Sequence, residues 1–261
     1  MKIYQVDAFT DKLFAGNPAG VCILEEEKDD EWLQKLAREM NLSETGFLLK
    51  EDDGYNLRWF TPTDEVDLCG HGTLSSAHIL WEDGYLSEDE EAHFHTRSGL
   101  LTATYNDGWI ELNFPAELAE ETNTPDKLIE ALEVDPIYVG KNRFDYIIEV
   151  ESEETIRELE PDFKLLTEVD SRGVIVTARS ESDDYDFISR FFAPNIGINE
   201  DPVTGSTHCC LGPYWQDKLG KSELLGYQAS KRGGAVKVRV VKERVYLAGR
   251  VVTVFSGQLS D

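Results

Sequence analysis

Two glycine-bearing turns carry the groups best suited to chemistry. They are Cys69-Gly70-His71-Gly72-Thr73 and Asp201-Pro202-Val203-Thr204-Gly205-Ser206. Each leads into a helical stretch, so each presents the unpaired N–H groups and partial positive charge of a helix N-terminus. Gly70, Gly72 and Gly205 let the backbone approach a ligand closely, and Thr73 and Ser206 add hydroxyl donors. Such ends suit a carboxylate, a phosphate or a developing enolate. Cys69 and Asp201 would then form a two-base pair around a carbon acid, one removing a proton and the other returning it. A thiol at a helix N-terminus is expected to have a lowered pKa. The plainer readings are a small buried hydrophobe for Cys69 and a helix N-cap for Asp201.

Glu44, in Asn41-Leu42-Ser43-Glu44-Thr45-Gly46-Phe47, enters an apolar strand. A carboxylate beside Phe47 and Leu48 is expected to be partly desolvated, which raises its pKa and suits it to acid/base work. Read alone, it is better taken as a surface or capping glutamate. His93-x-His95 places two imidazoles on one strand face, the single pointer to a metallohydrolase, and no acidic or cysteine partner is marked beside it. Adjacent Cys209 and Cys210 diverge by about 100° on a helix and do not suggest chelation. The sequence contains neither a G-x-x-x-x-G-K-[ST] loop nor G-x-G-x-x-G, so nucleotide binding has no support.

The elements that must position these groups are mostly short strands. β-branched or aromatic runs between turn formers predict strands at residues 3–9, 20–24, 46–49, 55–60, 93–97, 101–105 and 109–114, with a hairpin turn at Asn106-Asp107-Gly108. Further strands are expected at 137–139, 146–150, 173–177, 188–192, 224–228, 235–241, 244–248 and 251–255. Helices are expected at 30–40, where Trp32, Leu33, Leu36 and Met40 share a face, at 73–81 and at 206–218. Many strands with few, separated helices predict an α+β fold. The acidic stretch Pro115–Asp126 reads as a linker. Arg58-Trp59-Phe60-Thr61-Pro62 matches Arg190-Phe191-Phe192-Ala193-Pro194, and the same offset sets Cys69 against Asp201. The match points to two related halves, residues 1–116 and 117–261, the last strand packing back on the first domain.

Composition narrows the partners. Of 261 residues, 25 are Lys or Arg and 51 are Asp or Glu, for a net charge of −26. That excludes phosphate-backbone recognition, which needs clustered cations, and argues against docking on anionic lipid. An apolar fraction of 41% is that of a globular chain. No run approaches the ~20 apolar residues of a membrane span, and the N-terminus lacks a signal-peptide core, so the chain is expected in the cytoplasm with free thiols.

Together these motifs resemble the PhzF-like phenazine biosynthesis family, relatives of diaminopimelate epimerase. The resemblance runs through Val6–Thr10, Phe14–Val21, Asn41–Thr45, Arg58–Pro62, Cys69–Thr73 and Arg190–Ser206 in family order. It implies two similar domains, each a β-barrel-like sheet around a central helix, with an active site in the cleft between them. It also implies no cofactor and often a homodimer; the residues themselves lead to no expected metal. Carried over, Glu44 is the acid/base, with Asp201 and Cys69 as further catalytic candidates. Asn17, His71, Gly72, Thr73, Gly205 and Ser206 would bind substrate. The phenazine enzyme has Ala where this chain has Cys69, and the epimerases have Cys at both turns. The resemblance therefore implies a proton-shift isomerase or epimerase acting on a small carboxylic acid. The alternative is a non-catalytic protein of the same fold that binds small anions.

Overall fold

The structure is a computed structural model and describes residues 1–260. The chain divides into two compact units. The first comprises Met1–Asn113 and the chain from Ala248 onward, and the second spans Phe114–Leu247. In chain order, the first carries β1 (Lys2–Ala8), β2 (Asn17–Leu24), α1 (Asp30–Met40), β3 (Glu44–Glu51), β4 (Gly54–Phe60), β5 (Glu65–Val66), α2 (Gly70–Glu82), β6 (Ala92–Thr96), β7 (Gly99–Asn106) and β8 (Trp109–Pro115). The second follows with β9 (Glu120–Glu121), α3 (Asp126–Leu132), β10 (Tyr138–Lys141), β11 (Asp145–Glu149), α4 (Glu153–Glu158), α5 (Phe163–Leu166), β12 (Gly173–Arg179), β13 (Phe187–Phe192), α6 (Gly205–Leu219), β14 (Glu223–Gln228), β15 (Gly234–Val241) and β16 (Arg244–Gly249). The last strand, β17 (Val251–Gln258), pairs antiparallel with β1.

The two units repeat one pattern of strand senses. In the first, β1–β2 is antiparallel, β2–β3 parallel, β3–β4 antiparallel, β4–β6 parallel and β6–β7 antiparallel. In the second, β10–β11, β11–β12, β12–β13, β13–β14 and β14–β15 run through the same series. The crossovers fall at the same places, α1 before β3 and α4–α5 before β12, then α2 before β6 and α6 before β14. This is the α+β architecture expected from the strand-rich sequence, and the repeat is one of topology as well as of letters.

In each unit one helix is buried by its sheet. Ten of the thirteen residues of α2 are buried, and it packs on β1, β2, β3 and β17. Such a helix has no solvent face to keep polar, which accounts for a sequence of small and apolar residues without a polar stripe. Gly46 on β3 permits the approach, since a Cβ there would lie 2.8 Å from Ser76 Oγ. Helix α6 packs on β14 and β15 and contains Pro213. A proline cannot donate to the carbonyl four residues back. That carbonyl, of Cys209, accepts instead from the Glu117 N–H at 3.0 Å. The stretch read as a linker is thus pinned. Glu117 docks on α6, Ala116 N–H donates to Glu243 O at 2.9 Å, and β9 pairs with β10.

Helix α1 matches its sequence reading residue for residue. Asp29 caps it by accepting from Trp32 N–H at 2.8 Å, and Asn41 ends it in the left-handed region at φ 50°. Its buried Leu33, Leu36 and Ala37 cluster with Ile3, Cys22, Leu24, Phe47 and Phe60. The β7–β8 hairpin turns through Asp107 and Gly108, both at positive φ, as the tight turn requires. Among the described residues no helix is long and apolar enough to cross a membrane.

Candidate active site

The Arg58 and Arg190 motifs set up both helix starts. Arg58 grips Glu65 with two donors, Nε to Oε1 at 2.8 Å and Nη2 to Oε2 at 2.7 Å, and lies over the Phe60 ring at 5.0 Å. Arg190 grips Glu200 the same way at 2.7 and 3.0 Å and lies over Phe192 at 4.9 Å. The clamp spans seven residues in the first unit and ten in the second. The longer loop holds a 3₁₀ turn at Pro194–Ile196 and a left-handed Gly197. The helix N-cap follows four residues after each glutamate, at Cys69 and at Thr204. Cys69 therefore corresponds to Thr204, and Asp201 lies three residues upstream of the cap. The expected equivalence of Cys69 with Asp201 is corrected by the longer loop.

In the first unit Glu44, Cys69 and His71 come together. Glu44 opens β3, and its Oε2 lies 3.1 Å from His71 Nε2, an ion-pair separation without the alignment of a good hydrogen bond. Their side chains are 15% and 9% exposed, so solvent screens the pair weakly. His71 Nδ1 lies 3.6 Å from Cys69 Sγ. That sulfur caps α2 by accepting from Gly72 N–H at 3.3 Å, and Thr73 Oγ1 donates to Cys69 O at 2.6 Å. Gly72 is required by the packing, because a Cβ there would sit 2.9 Å from Cys69 Sγ and 2.8 Å from Trp59 Cδ1. Asn17 is fully buried at the start of β2, two residues before Ala19, which pairs with Glu44.

The charge state follows from burial and neighbours. Burial pushes the Cys69 thiol up and the Glu44 charge adds to this, while His71 and the Gly72 N–H oppose it. The result is a raised pKa, opposite to the lowering expected from the helix end alone. Burial would drive His71 down, but Cys69 and Glu44 outweigh it and hold the imidazole well above its ordinary value. The largest upward push on His71 comes from the Cys69 sulfur, 3.6 Å away, and the next from the Glu44 carboxylate.

The ligand atoms of Glu44, Cys69 and His71 lie within 4.8 Å of one another, close enough for a soft divalent cation. To hold one, His71 and Cys69 would each have to give up a proton. His93 and His95 join no such group among the described residues. His95 Nε2 lies 2.8 Å from Asp53 O, and His93 Nε2 lies 3.2 Å from Glu91.

In the second unit the Thr204 hydroxyl donates a short hydrogen bond to Asp201 Oδ2. Gln228 ties the turn, accepting from Thr204 N–H at 2.9 Å and donating to Asp201 O at 2.8 Å. Gly205 and Ser206 form the first turn of α6. Thr204, Gln228 and Arg172, whose Nη2 reaches Ser206 Oγ at 3.1 Å, were not singled out in the sequence.

His208 lies buried one turn into α6, with Nδ1 2.8 Å from Thr204 O. Burial lowers its pKa to about 4 against that bond. Folding therefore disfavours the charged form, and this contribution to stability is present above ~6.5 and is lost as pH falls toward 4. A loss of about 2 kcal/mol between pH 7 and pH 5 is expected. Urea unfolding at both pH values checks it against His208→Asn, which cannot titrate. An equally steep loss in the variant refutes the assignment.

A family model described as phenazine biosynthesis-like protein matches residues 6–257. The chain belongs to the phenazine biosynthesis-like, or PhzF, family. An uncharacterized isomerase of Halalkalibacterium halodurans is 58% identical to this PhzF-family chain, covering 98% of it and 97% of the relative. A solved PhzF-family phenazine biosynthesis protein of Enterococcus faecalis superposes with a TM-score of 0.96 at 40% identity, covering 99% of this chain and 98% of the other. A predicted epimerase of Pseudomonas aeruginosa, at 22% identity and a TM-score of 0.74 over 99% and 98% of the two chains, shows the shared fold. With close relatives named as isomerases, this PhzF-family protein is an enzyme of the isomerase kind.

Proposed function

We propose that the enzyme moves a proton on a small carboxylic acid by acid/base catalysis without a cofactor, with Glu44 as the proton carrier. The observation behind this reading is the buried Glu44–His71 pair, 3.1 Å apart at the first turn of α2. A carboxylate in that setting takes a proton from a carbon next to a carbonyl or conjugated system. The electron pair moves into that system, and His71, charged and buried, compensates the anion as it forms. Glu44 then returns the proton to a second carbon in a shift, whereas inversion at the same carbon would need a second acid on the opposite face of the substrate. Asp201 is the second carboxylate of the reading, oriented by the Thr204 hydroxyl. Asn17, Gly72, Thr73, Gly205 and Ser206 are proposed to hold the substrate.

Incubating the protein in D₂O with a panel of small amino and hydroxy acids, and reading deuterium at carbon by mass spectrometry, tests for proton abstraction. Absence of carbon-bound deuterium across the panel, with carboxylate binding retained, favours a non-catalytic anion binder.

Cys69 is proposed to support the turn and not to carry the proton, because burial and Glu44 hold it as a thiol. Cys69→Ala and Cys69→Ser are therefore expected to lower turnover by less than about tenfold, or ~1.4 kcal/mol of barrier. Abolished exchange in both variants would assign the chain to a two-base scheme from opposite faces of the substrate.

A further inference from the structure

The position of α6 that corresponds to His71 is Ser206, the second residue of its helix. In the first unit that position faces a carboxylate, Glu44, and in the second it faces a cation, Arg172. The Arg172 side chain is 28% exposed and fixed from several directions. Its Nε donates to Asp145 Oδ1 at 2.9 Å, and its Nη2 donates to Asp145 Oδ2. Asp145 is 1% exposed, and its carboxylate also accepts from the Gly173 N–H. The guanidinium carbon lies 5.1 Å from the centre of the Phe144 ring and 5.4 Å from that of Phe191. From this mounting Nη2 reaches Ser206 Oγ at 3.1 Å.

A guanidinium has donors and no acceptor, so Ser206 Oγ must accept in this bond. The serine proton is then directed away from Arg172, and the part-exposed hydroxyl is left to donate to solvent or to a ligand. Donation from a charged group onto Oγ also polarises the hydroxyl and strengthens it as a donor. We propose that Asp145 and Arg172 form a positioning relay that commits Ser206 to donate its hydroxyl proton to a carboxylate oxygen of the substrate. Arg172 acts through Ser206 and is a positioning residue. The proposal rests on the reading above only in taking a carboxylate as the ligand class. In a chain of net charge −26, a preset donor for an anion has a clear use.

The test is a titration with benzoate, a carboxylate on a conjugated ring, followed by ¹⁵N NMR at the backbone amides of residues 205–207, which every variant keeps. Ser206→Ala and Arg172→Gln are each expected to weaken benzoate by about tenfold, with the double variant within twofold of either single one. Arg172→Lys, whose single nitrogen cannot span Asp145 and Ser206, is expected to fail like Arg172→Gln while a dispersed spectrum reports its fold. Additive losses, full affinity in Arg172→Lys, or no benzoate shift in the wild type overturns the proposal. Glu44→Gln separates the two readings. Benzoate binding that depends on Arg172 through Ser206 supports the relay even if carbon-bound exchange is never seen.

Discussion

Glu44→Gln is expected to lower carbon-bound proton exchange by roughly 10²–10⁴-fold, the usual scale for a general acid/base group. The amide matches the carboxylate in shape, so β3 and the start of α2 are expected to keep their packing. It cannot cycle a proton. It also removes one of the two groups that raise the His71 pKa, leaving Cys69 alone against the burial that pushes the imidazole down. The variant should therefore show a second signature in the absence of substrate. In the wild type, His71 stays charged to well above its ordinary ~6.5, and in Glu44→Gln its titration falls. The sign for stability follows. A raised histidine pKa contributes fully below ~6.5 and is lost as pH rises through the folded value, so the wild type should lose this increment on the alkaline side and the variant should not. Histidine NMR and the exchange assay check the two halves of the claim. Near-wild-type exchange with an unchanged fold removes Glu44 from the mechanism.

The longer strands were legible because each carries its own signal, whereas the two-residue β5 and β9 were not. Alternation and β-branched residues mark β11, β12 and β15 without reference to anything distant, and Asp29 and Asn41 bracket α1 in the sequence itself. The short helices α3, α4 and α5 were missed. Each has only four to seven residues, and α4 and α5 are held by local caps from Ser152 and Asp162 and by packing of buried Ile156 and Leu166. In α4 and α5 a single buried residue each leaves no periodicity to read, and in α3 the three buried positions fall within seven residues.

The site was legible in part for the same reason. Glu44, His71, Gly72 and Ser206 sit in motifs, so their segments could be found. The correspondence of Cys69 with Asp201 followed the strand motif and missed the three residues gained between Arg190 and the α6 cap. A five-letter match cannot register an insertion beyond its last letter. The Cys69 pKa was misjudged because the helix end is visible in sequence, whereas burial and the Glu44 charge arrive through the fold. Arg172 gave no signal at all. Its partners Asp145 and Ser206 are 27 and 34 residues away, and only the β11–β12 pairing and the seat of α6 bring the three together.

Arg190→Met is expected to destabilise the second unit by about 3–5 kcal/mol. The clamp is largely buried, with side chains 12% and 20% exposed for Arg190 and Glu200. Arg190 Nη1 also serves the carbonyls of Ile156 and Leu159, at 3.1 and 2.6 Å. Methionine fills much of the volume over Phe192 but leaves a carboxylate and two carbonyls without their donor, the expensive way to lose a hydrogen-bonded charge. The first unit supplies the control. There Arg97 Nη2 also reaches Glu65 Oε2, at 2.5 Å, so Arg58→Met does not orphan the glutamate. Its other partner, Asp30, is 75% exposed and returns to water. Arg58→Met should therefore cost about 1–2 kcal/mol, despite an equally short clamp. Glu200→Gln in the Arg190→Met background should recover part of the loss by removing the buried charge, because an unpaired charge costs more than an unpaired amide. Urea unfolding of the four proteins decides the matter. Equal costs for Arg58→Met and Arg190→Met, or no recovery from Glu200→Gln, would show that the two motifs are held by packing on Phe60 and Phe192 and not by the ion pairs they share.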